Sequence, residues 1–131
     1  MESKELRIGN YVQILYADND WRIYDVKVDT LAEIEIYPEN IKPIKLNEKW
    51  LLDFGFEIIE DGSYELMSKK IIIAFEKEDN FKEAYISELT QLYPIHWINS
   101  VKIKFVHQLQ NLYFALTGKE LKLKVNNEKK I

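Results

Sequence analysis

From Phe105 to Leu121 the chain reads FVHQLQNLYFALTGKEL, and this stretch restricts the fold more than any other. Phe105, Leu109, Leu112 and Leu116 recur at offsets of four, seven and eleven, with Tyr113 at their edge, which is the spacing of one face of an α-helix. That stripe has to be buried, so the helix is expected to close a core built by the residues before it. Gly118 supplies the left-handed residue that stops such a helix, and Lys119 and Lys122 follow near its negative end. A helix is therefore expected from about Ile103 to Thr117. At about 100° per residue, His107 and Phe114 fall nearly opposite Leu116, flanked by Gln110 and Asn111. A large ring on the back of a core helix is either covered by a second layer or presented to a partner. His107, Gln110, Asn111 and Phe114 thus form the candidate partner-binding face.

The rest of the chain has to supply the surface on which this helix lies. Its 131 residues, 47% of them apolar, suit one domain, divided into a β subregion (1–46), a helix, meander and closing helix (47–124), and a flexible tail (125–131). Alternation predicts strands over Arg7–Tyr16, Trp21–Asp29 and Ala32–Tyr37, the last placing Ile34 and Ile36 against Glu33 and Glu35. A short extended piece, Ile41–Leu46, lies next to Pro38 and contains Pro43, which suits an edge. Four short strands in 46 residues resemble a small SH3-like barrel. Asn47 is a good N-cap for a two-turn helix through Phe54, closed by Gly55 with Phe56 folding back onto Leu51. A second meander follows, with Phe56–Ile59 and Tyr64–Met67 around Asp61-Gly62 and a third strand at Ile71–Phe75. Between Phe81 and Leu92, Lys82–Ser87 reads as an amphipathic edge strand in preference to a helix, and Ile95–Ile98 as a short extended run. The fold class is α+β, with strands early and the main helix late.

The net charge of −4 hides a division. Residues 1–98 carry 11 Lys/Arg against 20 Asp/Glu, a net of −9, whereas 99–131 carry 7 Lys against Glu120 and Glu128, a net of +5. An acidic body disfavours wholesale binding to nucleic acid, whose affinity comes largely from phosphate contacts, and leaves the basic C-terminal region as the part that could touch them. Absence of cysteine removes disulfides, thiolate metal sites and a thiol nucleophile together. His96 and His107 are eleven residues apart on different predicted elements, so no metal site is expected. The four glycines form no phosphate-binding motif, and Glu57, Glu60, Asp61 and Glu65 surround a hairpin tip, where carboxylates are ordinarily solvated. Neither a cofactor nor catalysis is expected. MESKELRIG lacks the apolar region of a signal peptide and no apolar run approaches a membrane span, so the expected setting is the cytosol, without a membrane partner.

Three segments, ELRIGNYV, IKPIKLNEKWLLDFGFE and FVHQLQNLYFALTGKELKL, resemble in that order small uncharacterised proteins of Bacteroidota phages and prophages. The chain departs from the family's middle pattern at Lys45 and at Asn47, where threonine stands in the family. The resemblance implies a phage or mobile-element origin and carries no activity with it. Together with the small size, the acidity and the missing catalytic groups, it leads to the expectation of a non-catalytic binding protein. Such a protein would occlude or sequester a host component, whether a host protein or a small ligand, a component of a defence system being one case. The alternative is a nucleic-acid-associated SH3-like module using the basic C-terminal region. A second copy of the chain is a further partner left open.

Overall fold

Residues 1, 3–68, 71–88 and 99–124 are described by a computed structural model, and in them the chain is α+β, with two antiparallel sheets and three helices. The extended run expected at Ile95–Ile98 and the tail 125–131 lie outside the described residues, as does the end of the Phe81–Leu92 stretch.

In the first sheet β1 (Tyr11–Leu15) lies between β2 (Trp21–Asp25) and β3 (Ile41–Lys42). The strand expected over Ala32–Tyr37 is corrected, since these residues mostly belong to α1 (Val28–Ile36). Ile34 and Ile36 alternate with glutamates, but only Ile34 is buried, and Ile36 is 66% exposed. The relevant partner of Ile34 is the buried Thr30 one turn earlier, with Leu31 packed beside them. The Lys27 backbone N–H donates to Thr30 Oγ1 (3.1 Å), which fixes the start of the helix. With a helix in place of a strand, the remaining strands form an open sheet and no closed barrel among the described residues. Leu6, Val12, Val26, Ile34 and Ile41 fill the small core between this sheet and α1.

α2 (Glu48–Phe54) starts as expected, with Asn47 Oδ1 accepting from the Trp50 N–H (3.0 Å). Gly55, at φ +103°, ends it by donating to the Leu52 carbonyl, while the Phe56 N–H donates to that of Leu51. The second sheet is a meander of five consecutive neighbours: β4 (Glu57–Ile58), β5 (Tyr64–Met67), β6 (Ile71–Phe75), β7 (Glu83–Glu88) and β8 (Asn99–Lys102). β7 is a strand, but it pairs on both sides, so its placement at an edge is corrected. α3 (Val106–Thr117) ends at Gly118 in the left-handed region. The main core gathers Leu51 and Phe54 of α2, Ile73, Phe75 and Ala84 of the sheet, and Val106 and Leu109 of α3. Tyr11 reaches into this core from β1 and packs against Trp50 and Phe54 at 5.6 and 6.2 Å between ring centroids, so the two sheets share one aromatic joint.

Candidate functional site

The buried arc of α3 is centred roughly a quarter turn from the leucine stripe. Leu109 is buried, Phe105, Leu112 and Tyr113 are half-buried, and Leu116 is 39% exposed. Val106, His107 and Gln110 are buried instead. The shift has a polar cause. Gln110 Oε1 accepts from the Tyr11 N–H (2.8 Å), and its amide nitrogen donates to the Gly9 and Leu121 carbonyls (3.1 and 3.2 Å), so one side chain completes the backbone of three segments. Asn111 Oδ1 accepts from Arg7 (2.6 Å) and Asn10 (3.0 Å), and its amide nitrogen donates to the Glu5 carbonyl (3.1 Å). Arg7 also pairs with Glu120 and lies over the Phe114 ring at 4.1 Å. The structure therefore brings His107, Gln110, Asn111 and Phe114 onto the chain's own N-terminal segment, and of the four only Phe114 keeps substantial exposure.

His107 is 1% exposed, stacks on Phe105 at 5.9 Å, and has Nε2 3.8 Å from Glu5 Oε1, while Nδ1 finds no hydrogen-bond partner among the described residues. Burial holds its pKa below the ordinary 6.5, and the Glu5 carboxylate opposes this in part. A base with a depressed folded-state pKa binds its proton better unfolded. Its contribution to stability is complete above pH 6.5 and is lost as pH falls below that value toward the folded pKa. Urea denaturation is expected to show stability declining below pH 6.5, with the decline in that window absent from His107→Gln. An equal slope in both proteins would remove His107 as its cause.

A second site arises where three extended segments meet at the start of α3. The Ile103 N–H donates to the Lys82 carbonyl (2.9 Å), that of Leu46 to the Lys104 carbonyl (3.0 Å), and that of Val106 to the Ile44 carbonyl (2.8 Å), while Lys45 pairs with Phe105 in an isolated bridge. Alternation along extended backbone buries Ile103 and leaves Lys102 and Lys104 outside. Lys82 and Lys45 join them across the pairing, so Lys45, Lys82, Lys102 and Lys104 line one groove of about 590 Å³, with Glu83 as its one acid. All four lysines are exposed, and none is ion-paired among the described residues. Leu46, Phe81 and Ile103 form an apolar floor. Gln108 on the wall accepts from the N–H groups of Lys104 and Phe105 (2.8 and 3.0 Å), so its own NH₂ donors remain unpartnered within the described chain.

The lip of the groove is strained. Asn80 and Phe81 both occupy the left-handed region, at φ +62° and +60°, a conformation that a bulky aromatic adopts at an energy of about 1–3 kcal/mol. The Phe81 ring, buried and edge-on to Tyr64 at 5.2 Å, holds the turn there. On the far side of the same turn acids outnumber bases, with Asp61, Glu76 and Glu78 lining a cavity of about 220 Å³ together with Lys77 and Tyr85.

The charge division marked Lys102 and Lys104 in advance, but Lys45 and Lys82 sit in the acidic part of the chain and are brought in by strand pairing alone. Among the described residues no cluster of His, Asp and Glu is arranged to hold a metal, and no helix is long and apolar enough to cross a membrane. Comparison with protein-family models, with curated proteins and with solved structures gives no match to this chain.

Proposed function

We propose that the protein is a non-catalytic binding protein that captures an anionic partner in the Lys45–Lys82–Lys102–Lys104 groove. The observation that carries this reading is four exposed lysines, none ion-paired among the described residues although Lys104 lies over the Phe105 ring at 5.3 Å, converging on one concave surface of a chain whose net charge is −4. Four like charges gathered with Glu83 as the one acid raise one another's energy, and an anion relieves that repulsion. The likeness to small phage proteins supports a role in sequestering a host component within the host cytosol. The β2-β1-β3 sheet is open, and the acids of this part of the chain include Asp29, Glu33 and Glu35 of α1.

A heparin-derived oligosaccharide is a suitable general polyanion probe. Exchanging the four groove lysines for glutamine is expected to weaken its binding about tenfold or more, and salt should weaken binding to the unaltered protein. Lys27 and Lys49 are the controls, because each is already paired, with Asp25 (3.1 Å) and Asp53 (2.7 Å). Equal losses from Lys27→Gln with Lys49→Gln would dissociate binding from the groove.

A further inference from the structure

We infer that the groove's ligand is a compact organic polyphosphate, a molecule joining two or more phosphate groups to an apolar or aromatic moiety, and that a nucleic-acid strand is not its ligand. The inference rests on the groove being the binding site and adds the class of ligand.

Size comes first. About 590 Å³ lies within the range of small-molecule sites, roughly 300–1,000 Å³. The charges come second. The groove brings four lysines, point charges that can meet phosphate oxygens from several directions. One glutamate leaves an excess of three positive charges, enough to balance an organic diphosphate and most of the charge of a triphosphate. The free NH₂ donors of Gln108 add a neutral donor on the same wall. The floor comes third. Leu46, Phe81 and Ile103 are each only 4–6% exposed, a narrow apolar strip that meets the edge of an organic group, which inorganic phosphate lacks.

What excludes a long strand is the surroundings. Asp79, just before the lip, accepts from the Lys82 N–H (3.3 Å), and Glu76 and Glu78 lie beyond it on the far side of the same turn with Lys77 as the one base between them. A polyanion extending past Lys82 toward that side would meet more acid than base, whereas a compact one ends before it. The groove also lacks an exposed aromatic ring on which successive bases could stack, since Phe81 is 6% exposed.

Calorimetric titration of the full chain with ATP, sodium tripolyphosphate, adenosine and a twelve-nucleotide single-stranded DNA tests this. One ATP per chain is expected, bound more tightly than tripolyphosphate, with adenosine weakest. The Lys82→Gln, Lys102→Gln, Lys104→Gln triple variant should bind ATP about tenfold or more weakly, while the corresponding Lys→Arg variant, which keeps the charge, should retain it. Circular dichroism and melting of both variants show whether the exposed positions leave the fold intact. Tighter binding of the twelve-nucleotide DNA than of ATP would overturn the ligand class and leave the groove standing. Heparin binding that needs the groove lysines, with no ATP or tripolyphosphate binding, would do the same. Absence of all polyanion binding, or ATP binding unchanged in the triple glutamine variant, would overturn the groove itself.

Discussion

Gln110→Ala is expected to destabilise the protein by about 2–5 kcal/mol, more than a surface-like glutamine would suggest. The side chain is fully buried and serves Tyr11, Gly9 and Leu121 at once, so its removal orphans one backbone N–H and takes a donor from two carbonyls, at about 1–3 kcal/mol per buried unsatisfied group. Gln110→Leu, which keeps the volume, should be nearly as harmful, because the loss is one of hydrogen bonds and not of packing. Urea denaturation midpoints measure both. A loss below about 1 kcal/mol in either variant would mean that the three segments find other partners, and that α3 is held by its apolar contacts alone.

Phe54→Ala should remove about 3–5 kcal/mol, the range for a buried aromatic whose cavity cannot collapse. Phe54 is completely buried and touches Trp50 at 5.7 Å as well as Tyr11, so the cavity would open in the joint between the two sheets. Phe114→Ala is the contrast. That ring is 39% exposed beneath Arg7, and losing it should change stability by only about 1 kcal/mol, the scale of an exposed cation–π contact. Comparable losses from the two variants, read from thermal or urea unfolding, would contradict the burial on which the aromatic joint rests.

What the sequence made legible, it made legible through local chemistry. Asn47, Gly55, Asp61-Gly62 and Gly118 act within a few residues of themselves, and each cap or turn stands where the residue type demands it. α3 was readable as a helix for the same reason, whereas its orientation was not. Periodicity weighs apolar residues, and the face that is buried holds Gln110, which bonds to backbone groups about a hundred residues away, and His107, which faces the Glu5 side chain. α1 was misread because two isoleucines two apart satisfy a strand pattern as well as they satisfy one buried and one exposed helix position. The groove is the least legible part. Lys45 and Lys82 are ordinary surface lysines in the sequence, and only the pairing of their backbone with residues 103–105 places them beside Lys102 and Lys104.

The link from Arg7, Asn10 and Tyr11 to Asn111, Gln110 and Glu120 spans 99 to 113 residues of chain. On a ribosome, the first sheet leaves the exit tunnel long before the helix that fastens it has been made. Until that helix emerges, β1 lacks the Gln110 partner for its first N–H group and Tyr11 has no completed core to enter. Contacts this distant also require closing nearly the whole chain as a loop, which slows the search for the native state relative to a helical bundle of equal size. The nascent N-terminal half therefore spends its synthesis time with the Tyr11 N–H and ring unfastened, so chains terminated before Gln110 are expected to aggregate more than to give a working fragment.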